Sequence, residues 1–240
     1  YPERPVDFII HAAGIASPYY YRKFPLETLE VATTGLINTL KLAQQYHAKL
    51  LFFSSSEIYG DPDIKHIPTA ESYRGNVNCL GPRSSYDESK RLGETLIYIF
   101  HQLYGVDAKI VRPFNIFAPG FQKTDYRVLP NFAAKIIDKQ PLHIYGSGNQ
   151  TRTFCYVTDA IRGFLQVLVN GAPGQPYNIG NPLPEISMVD LVKRIEHVLN
   201  RKVNYEIIEY PDVYPADEPN RRCPDITKAR QQVNYEPTVS

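Results

Sequence analysis

Val6 to Ala12 is a nearly continuous apolar run, the pattern of a strand covered on both faces, and Leu26 to Tyr46 follows with apolar residues at helical spacing. Leu50 to Phe53 repeats the strand pattern. Tyr86 to Leu103 sets Leu92, Leu96, Ile99, Phe100 and Leu103 on one helical face, and Ala108 to Val111 predicts a further strand. Strand and helix alternating at this spacing imply βαβ units and a parallel sheet. From about residue 126 the pattern is less regular, with a helix over Leu129 to Ile137, a turn at Tyr145 to Gly148 and a helix over Ser187 to Leu199.

Ligands of such sheets bind beyond the carboxyl ends of the strands, which here are His11 to Gly14, Ser54 to Glu57 and Pro113 to Asn115. All three ends carry small or polar residues. A dinucleotide-binding sheet opens with strand, glycine-rich turn and helix, yet neither Gly-x-x-Gly-x-x-Gly nor Gly-x-Gly-x-x-Gly occurs. The first unit of that fold is therefore not expected among these residues.

Composition narrows the function classes. The 240 residues are 43% hydrophobic and 21% charged, enough to bury a core, and a net charge of +1 without a basic block argues against a nucleic-acid binder. Cys79, Cys155 and Cys223 are odd in number and widely spaced, so neither a disulfide framework nor a zinc site is indicated. No apolar run has the length of a membrane helix and no signal-peptide pattern opens the chain, so a cytoplasmic protein acting on small molecules is expected.

A tyrosine four residues before a lysine on a helix puts both side chains on one face, where the ammonium can favour a phenolate. Two such pairs occur. Tyr19 and Lys23 lie in a proline-flanked aromatic cluster, whereas Tyr86 and Lys90 begin an amphipathic helix downstream of Ser54, Ser55 and Ser56 at a strand end. Only the second pair has catalytic surroundings, although by spacing alone it also reads as a solvated helix start. The triple serine with Glu57 suits hydrogen bonding to a substrate hydroxyl, or is an ordinary polar turn. Arg152, and the Arg221-Arg222 pair before Pro224-Asp225, could clamp a diphosphate; a single arginine reads more readily as half of a surface ion pair. His11, ending a buried strand, reads first as a structural histidine, and Asn115 is ambiguous on its own.

Several segments together resemble the extended short-chain dehydrogenase/reductase family, the NAD-dependent nucleotide-sugar epimerases and dehydratases. They are His11-Ala12-Ala13 with Ala16-Ser17-Pro18, Ser54 to Pro62, Gly75 to Arg91, Arg112 to Asn115, Tyr145 to Phe154, Tyr177 to Pro182 and Pro224-Asp225-Ile226. They run in order through nearly the whole chain, and the set is far more specific than any member. Within the family the match is best to the branch that decarboxylates UDP-glucuronate to UDP-xylose.

The resemblance implies a Rossmann-like doubly wound parallel sheet that lacks its first glycine-rich βα unit and carries a smaller C-terminal substrate lobe. Residues 1–125 would be the remainder of the NAD-binding domain, and 126–240 mainly the substrate lobe, interleaved with the end of the sheet. It further implies that Tyr86 deprotonates the sugar 4-hydroxyl, that Lys90 holds the nicotinamide ribose and lowers the tyrosine pKa, and that Ser55 bridges Tyr86 and substrate. Glu57 would lie beside the sugar. His11, Ala12, Ala13, Ser54 and Pro113, with Tyr86 and Lys90, would line the cofactor. Ser17, Asn115, Arg127, Tyr145, Arg152 and Arg222 would hold the nucleotide sugar, with Arg152 also assisting proton transfer. A homodimer is expected.

This chain departs from the pattern in places. Ser55 stands for the more usual threonine, Gly14-Ile15 for Ser-Pro, and the acidic residue that would read the adenosine ribose is missing, so NAD rather than NADP is an implication of the family. Ser56 stands where the 4,6-dehydratases usually carry aspartate. A 4,6-dehydratase or 4-epimerase is the alternative within the fold; a non-catalytic fragment or nucleotide-sensing relative is the alternative outside it.

Overall fold

The computed structural model describes residues 4–123, 125, 127–210 and 219–239. In chain order the strands are β1 (Phe8–His11), β2 (Lys49–Phe53), β3 (Ala108–Pro113), β4 (Ile116–Phe117), β5 (Leu142–Tyr145), β6 (Thr151–Arg152), β7 (Cys155–Tyr156), β8 (Pro176–Ile179), β9 (Ile186–Ser187), β10 (Tyr205–Ile208) and β11 (Arg221–Arg222). The helices are α1 (Pro18–Lys23), α2 (Pro25–Glu30), α3 (Leu36–Tyr46), α4 (Ser84–Tyr104), α5 (Val128–Ile137), α6 (Val157–Asn170), α7 (Met188–Leu199) and α8 (Thr227–Val233).

The central sheet is parallel throughout, in the order β1-β2-β3-β8. Successive residues of β2 serve opposite layers, as the two-residue period of a strand requires. Leu50 and Phe52 pack with Leu36, Leu40 and Ile97 of α3 and α4, while Leu51 packs with Val111, Val167, Ile179 and Ala229 from the side of α6 and α8. Leu50, Leu51 and Phe52 are fully buried, each burial stabilising the fold by about 1.5–3 kcal/mol. This is the doubly wound arrangement expected from the alternation of periods. A further core, Phe132, Leu142, Ile144, Met188, Leu191 and Val192, joins α5, β5 and α7.

Three expectations are corrected. The first concerns β1, which among the described residues pairs with β2 alone and leaves Phe8 54% and Ile10 52% exposed, so it is not covered on both faces. An apolar run reports that a strand avoids water, not which neighbour covers it. The run from Leu26 to Tyr46 is not one regular helix either: α2 passes into α3 through a π-turn at Val31–Gly35, where the Thr33 hydroxyl bonds back to the Leu29 carbonyl at 2.6 Å.

The third correction bears on the site. In α4 the face turned inward carries Tyr86, Asp87, Ser89, Lys90, Gly93 and Ile97, while Leu92, Ile99 and Leu103 of the apolar face expected from the helical spacing are exposed. Leu96 and Phe100 are only partly buried. Gly93 explains the close approach: a Cβ there would fall 2.4 Å from Cζ of Phe52, so the helix crosses β2 nearly in backbone contact. The polar residues at the start of α4 are thereby drawn against the end of the sheet. No helix among the described residues is long and apolar enough to cross a membrane.

Candidate active site

The site forms where β2 ends. Ser54 is still tied to the sheet, its N–H donating to Val111 at 2.9 Å, and its buried hydroxyl donates to Glu94 of α4 at 2.6 Å. Arg112 of β3 holds the same Glu94 through Nε and Nη2, so the strand end and the helix share one buried polar anchor. Ser55 is extended (φ −159°) and caps the short helical turn Ser56–Tyr59, its Oγ accepting the Glu57 N–H at 3.2 Å. The same hydroxyl faces the Tyr86 phenol closely enough to draw its pKa down.

Tyr86 is 6% exposed, its ring stacked on Tyr21 of α1 at 5.2 Å and 13°. Burial pushes its phenol up to about 12; the Ser55 hydroxyl and Arg83 oppose the shift, and Glu57 and Asp87 add to it. Lys90 lies with its Nζ 5.7 Å from the Tyr86 ring centroid and donates to the Phe53 carbonyl at 2.7 Å. Burial lowers the Lys90 ammonium to about 8. The expected lowering of the tyrosine pKa by Lys90 is therefore not what governs it in this arrangement; desolvation is stronger.

Glu57 is surrounded by cations. Burial would raise its pKa, but Arg222 and then Arg83, with Arg152 behind them, outweigh it and hold the carboxyl at about 2. Arg222 donates through Nη2 to Oε2 at 2.8 Å and through Nη1 to Oε1, while Arg83 Nη2 also reaches Oε2. Arg222 is thus not half of a surface pair: it is 7% exposed and paired with the buried Glu57 carboxylate. Arg152, equally buried, donates to the carbonyls of Thr151 and Pro219 at 2.8 and 2.7 Å.

The other expected residues lie around this centre at varying distance. His11, 6% exposed at the end of β1, stacks on Phe52 at 5.8 Å; burial and then Lys90 lower its pKa, and its Nε2 is buried without a hydrogen-bond partner. Ala12 and Ala13 follow as exposed backbone, and a Cβ on Gly14 would come 3.3 Å from Lys90 Nζ, so this loop runs over the lysine. Ser17 and Arg127 line one cleft of about 480 Å³ with Gly14 and Tyr20, and Arg127 pairs with Asp125 at 2.5 Å. Pro113 ends β3. Asn115 takes a left-handed φ of 41°, which asparagine tolerates, and its Nδ2 donates to Thr153 at 2.9 Å. Tyr145, at the end of β5, stacks on Tyr210 at 5.9 Å. The rival Tyr19 is 47% exposed, and Lys23 lies over Phe24.

Three residues of the centre escaped the sequence reading: Tyr21, Arg83 and Asp87. Asp87 is 4% exposed, and burial followed by Glu57 raises its carboxyl to about 7 against Arg83 and Arg222. Only the four-residue spacing of Arg83 and Asp87 signalled a contact.

Comparison with known proteins adds four matches. The model of the NAD dependent epimerase/dehydratase family matches residues 2–180. UDP-glucuronic acid decarboxylase 1 of Arabidopsis thaliana is 42% identical over 235 residues, spanning 98% of this chain and 52% of that protein, so the chain covers about half the length of this relative. Among solved structures, a double mutant of dTDP-glucose 4,6-dehydratase from Streptomyces venezuelae with NAD bound superposes with a TM-score of 0.84 at 25% identity, over 99% of this chain and 70% of that one. A UDP-glucuronic acid 4-epimerase mutant from Bacillus cereus in complex with NAD gives 0.81 at 25% identity, over 98% and 71%.

Proposed function

This chain belongs to the NAD dependent epimerase/dehydratase family, and we propose that the protein it forms decarboxylates UDP-glucuronate to UDP-xylose and carbon dioxide. One observation carries the enzymatic reading: the Ser55 hydroxyl meets the Tyr86 phenol on one side and the Glu57 turn on the other, with Lys90 one helical turn beyond Tyr86. A binding module has no need of that set. The choice of reaction is supported by the 42% identity to a UDP-glucuronic acid decarboxylase.

The residues present fit the nicotinamide end of NAD. Tyr86, Lys90, Ser54, Pro113 and the loop from His11 to Ala13 would hold it, and the unpartnered His11 Nε2 is a buried polar atom in want of a ligand. NAD bound there would supply the hydride acceptor for oxidation at the sugar C4 and, once reduced, the hydride for its return.

Tyr86 takes the proton of the 4-hydroxyl through Ser55, with the Lys90 charge favouring the phenolate. Oxidation at C4 leaves the C5 carboxylate β to a ketone. The C5–carboxylate bond then breaks, its electron pair enters the enolate, carbon dioxide leaves, and a proton is taken up at C5 with assistance from Arg152. Tyr86 gives its proton back to the 4-oxygen. Glu57, held ionised by Arg83 and Arg222, accepts hydrogen bonds and donates none. Ser17, Asn115, Arg127, Tyr145, Arg152 and Arg222 hold the nucleotide sugar, and two copies of the protein associate as a homodimer.

Dehydration is disfavoured by Ser56, since a serine hydroxyl is a poor acid for a departing 6-hydroxyl. Epimerisation at C4 is the second reading, because it uses the same tyrosine and needs no acid at position 56. Incubation of the full-length protein with UDP-glucuronate and with dTDP-glucose, read by mass spectrometry, tests this. Loss of carbon dioxide from the first substrate is expected; an unchanged mass there, or loss of water from the second, overturns the proposal.

A further inference from the structure

The reaction as derived leaves two buried charges without a task. Arg83 and Asp87 are 5% and 4% exposed, stand four residues apart at the start of α4, and have Tyr86 between them. The Arg83 carbonyl accepts the N–H of both Tyr86 and Asp87 at 3.0 Å, so the backbone of Arg83 begins the turn that carries the tyrosine. Its guanidinium reaches in two directions: Nη2 donates to Glu57 Oε2, and Nε lies 3.6 Å from Asp87 Oδ2. The other Asp87 oxygen, Oδ1, is buried with no hydrogen-bond partner.

We propose that Arg83 and Asp87 are positioning residues: Asp87 holds Arg83, and Arg83 ties the Glu57 carboxylate to the turn of helix that carries Tyr86. The inference rests on the decarboxylase reading for the use made of Glu57 and Tyr86, but not for the geometry itself. The Ser54–Glu94 anchor fixes the end of β2 to α4 further along the helix, but it does not touch the Glu57 carboxylate, whose placement against Tyr86 to within the tenths of an ångström that matter in a reacting site is left to Arg83 and Arg222.

The charges account for both members of the pair. Four groups face Asp87: Glu57 from the turn after β2, Arg222 from β11, and Arg83 and Tyr86 from its own helix end. Two buried carboxylates that share one guanidinium cannot both stay ionised cheaply, and the proton goes to the one with fewer cations. That one is Asp87, raised to about 7, while Glu57 is held at about 2. Asp87 thus absorbs the change of charge near neutrality, and Glu57 keeps its carboxylate. An ammonium would serve poorly here, because it cannot present two fixed donors to two separate acceptors.

Carbon-13 NMR of the carboxyl groups in the full-length protein reads the pair directly, with Asp87→Asn and Glu57→Gln assigning the two signals. The Asp87 carboxyl is expected to titrate near neutrality. In Arg83→Met the Glu57 titration is expected to move upward, and Arg83→Lys, the milder variant if the first fails to fold, should move it part of the way. A Glu57 titration unchanged by either substitution overturns the inference.

Turnover supplies the second measure. Arg83→Lys and Asp87→Asn should each lower kcat by about tenfold while KM stays within about threefold, and Asp87→Asn should erase an inflection near neutrality from the kcat profile. Wild-type kcat and pH profile in both variants would sink the proposal. Because the NMR titration needs no turnover, a wild-type protein inert toward UDP-glucuronate defeats the decarboxylase reading alone and leaves this one to be decided by Glu57.

Discussion

Arg222 Nη2 lies 2.8 Å from Glu57 Oε2, joining residues 165 positions apart in the chain. The contact closes the second half of the fold onto the end of β2, and it does so with charge. Glu57 is held at about 2, below its ordinary 4.5, so the stability it contributes is present above pH 4.5 and is lost as pH falls from there toward 2.

Arg222→Met removes that partner and leaves a mostly buried carboxylate to Arg83. Breaking a buried pair from one side typically costs about 3–5 kcal/mol, and the remaining guanidinium with the 18% exposure of the Glu57 side chain reduces this to about 1–3. Thermal unfolding at pH 7 should show a Tm lower by several degrees, and the deficit should shrink at pH 3. An equal deficit at both pH values would mean the loss is one of packing rather than charge.

Asp87→Asn should act in the opposite sense. A carboxyl raised from 3.8 to about 7 costs the folded state stability as pH rises through that interval, because the unfolded chain ionises first. The amide does not ionise. Relative to wild type, the variant should therefore gain stability between pH 4 and pH 8, by about 1 kcal/mol or more, a shift of about 2–4 °C at this chain length. Parallel Tm curves for the two proteins across that range would contradict the raised carboxyl.

Tyr86→Phe in the full-length enzyme removes the proton acceptor and little else. Turnover should fall by about 10²–10⁴-fold, while UDP binding measured by calorimetry stays close to wild type. Near-normal turnover would remove Tyr86 from the assignment.

Gly93→Ala tests the close crossing of α4 over β2. The new Cβ would lie 2.4 Å from the Phe52 ring, which is fully buried and has nowhere to retreat. Overpacking of this kind costs about 1–3 kcal/mol, which a urea titration would register as a lowered midpoint with an unchanged slope. Because Lys90 stands on the same face one turn earlier, activity should fall beyond what the lost stability explains.

Self-association is the fifth expectation. Leu92, Ile99 and Leu103 form an apolar stripe on the outer face of α4 and are 45%, 40% and 67% exposed. Sedimentation of the full-length protein at micromolar concentration should give a dimer, and Ile99→Asp should weaken it. A wild-type monomer would count against the homodimer.

Local periodicity made the parallel α/β framework legible, because strand and helix each repeat within a few residues and neither signal needs a distant partner. It also separated Tyr86 and Lys90 from Tyr19 and Lys23, since only the former begin a long amphipathic helix downstream of a polar strand end. The family resemblance added the roles of those residues. What periodicity could not decide is the direction in which α4 faces. Counting apolar residues picks out the face with Leu92, Leu96, Ile99, Phe100 and Leu103, but full burial went to Tyr86, Ser89, Lys90 and Gly93, because a small residue lets a helix approach a sheet. The charge state of the centre was likewise beyond the linear chain. Glu57 meets Arg83 across 26 positions and Arg222 across 165, and no spacing rule links residues joined only when loops close. Desolvation is a property of the finished packing. It sets Tyr86 above its ordinary pKa, Lys90 below it and Asp87 near neutrality, so tertiary structure alone decided which of these groups holds a proton.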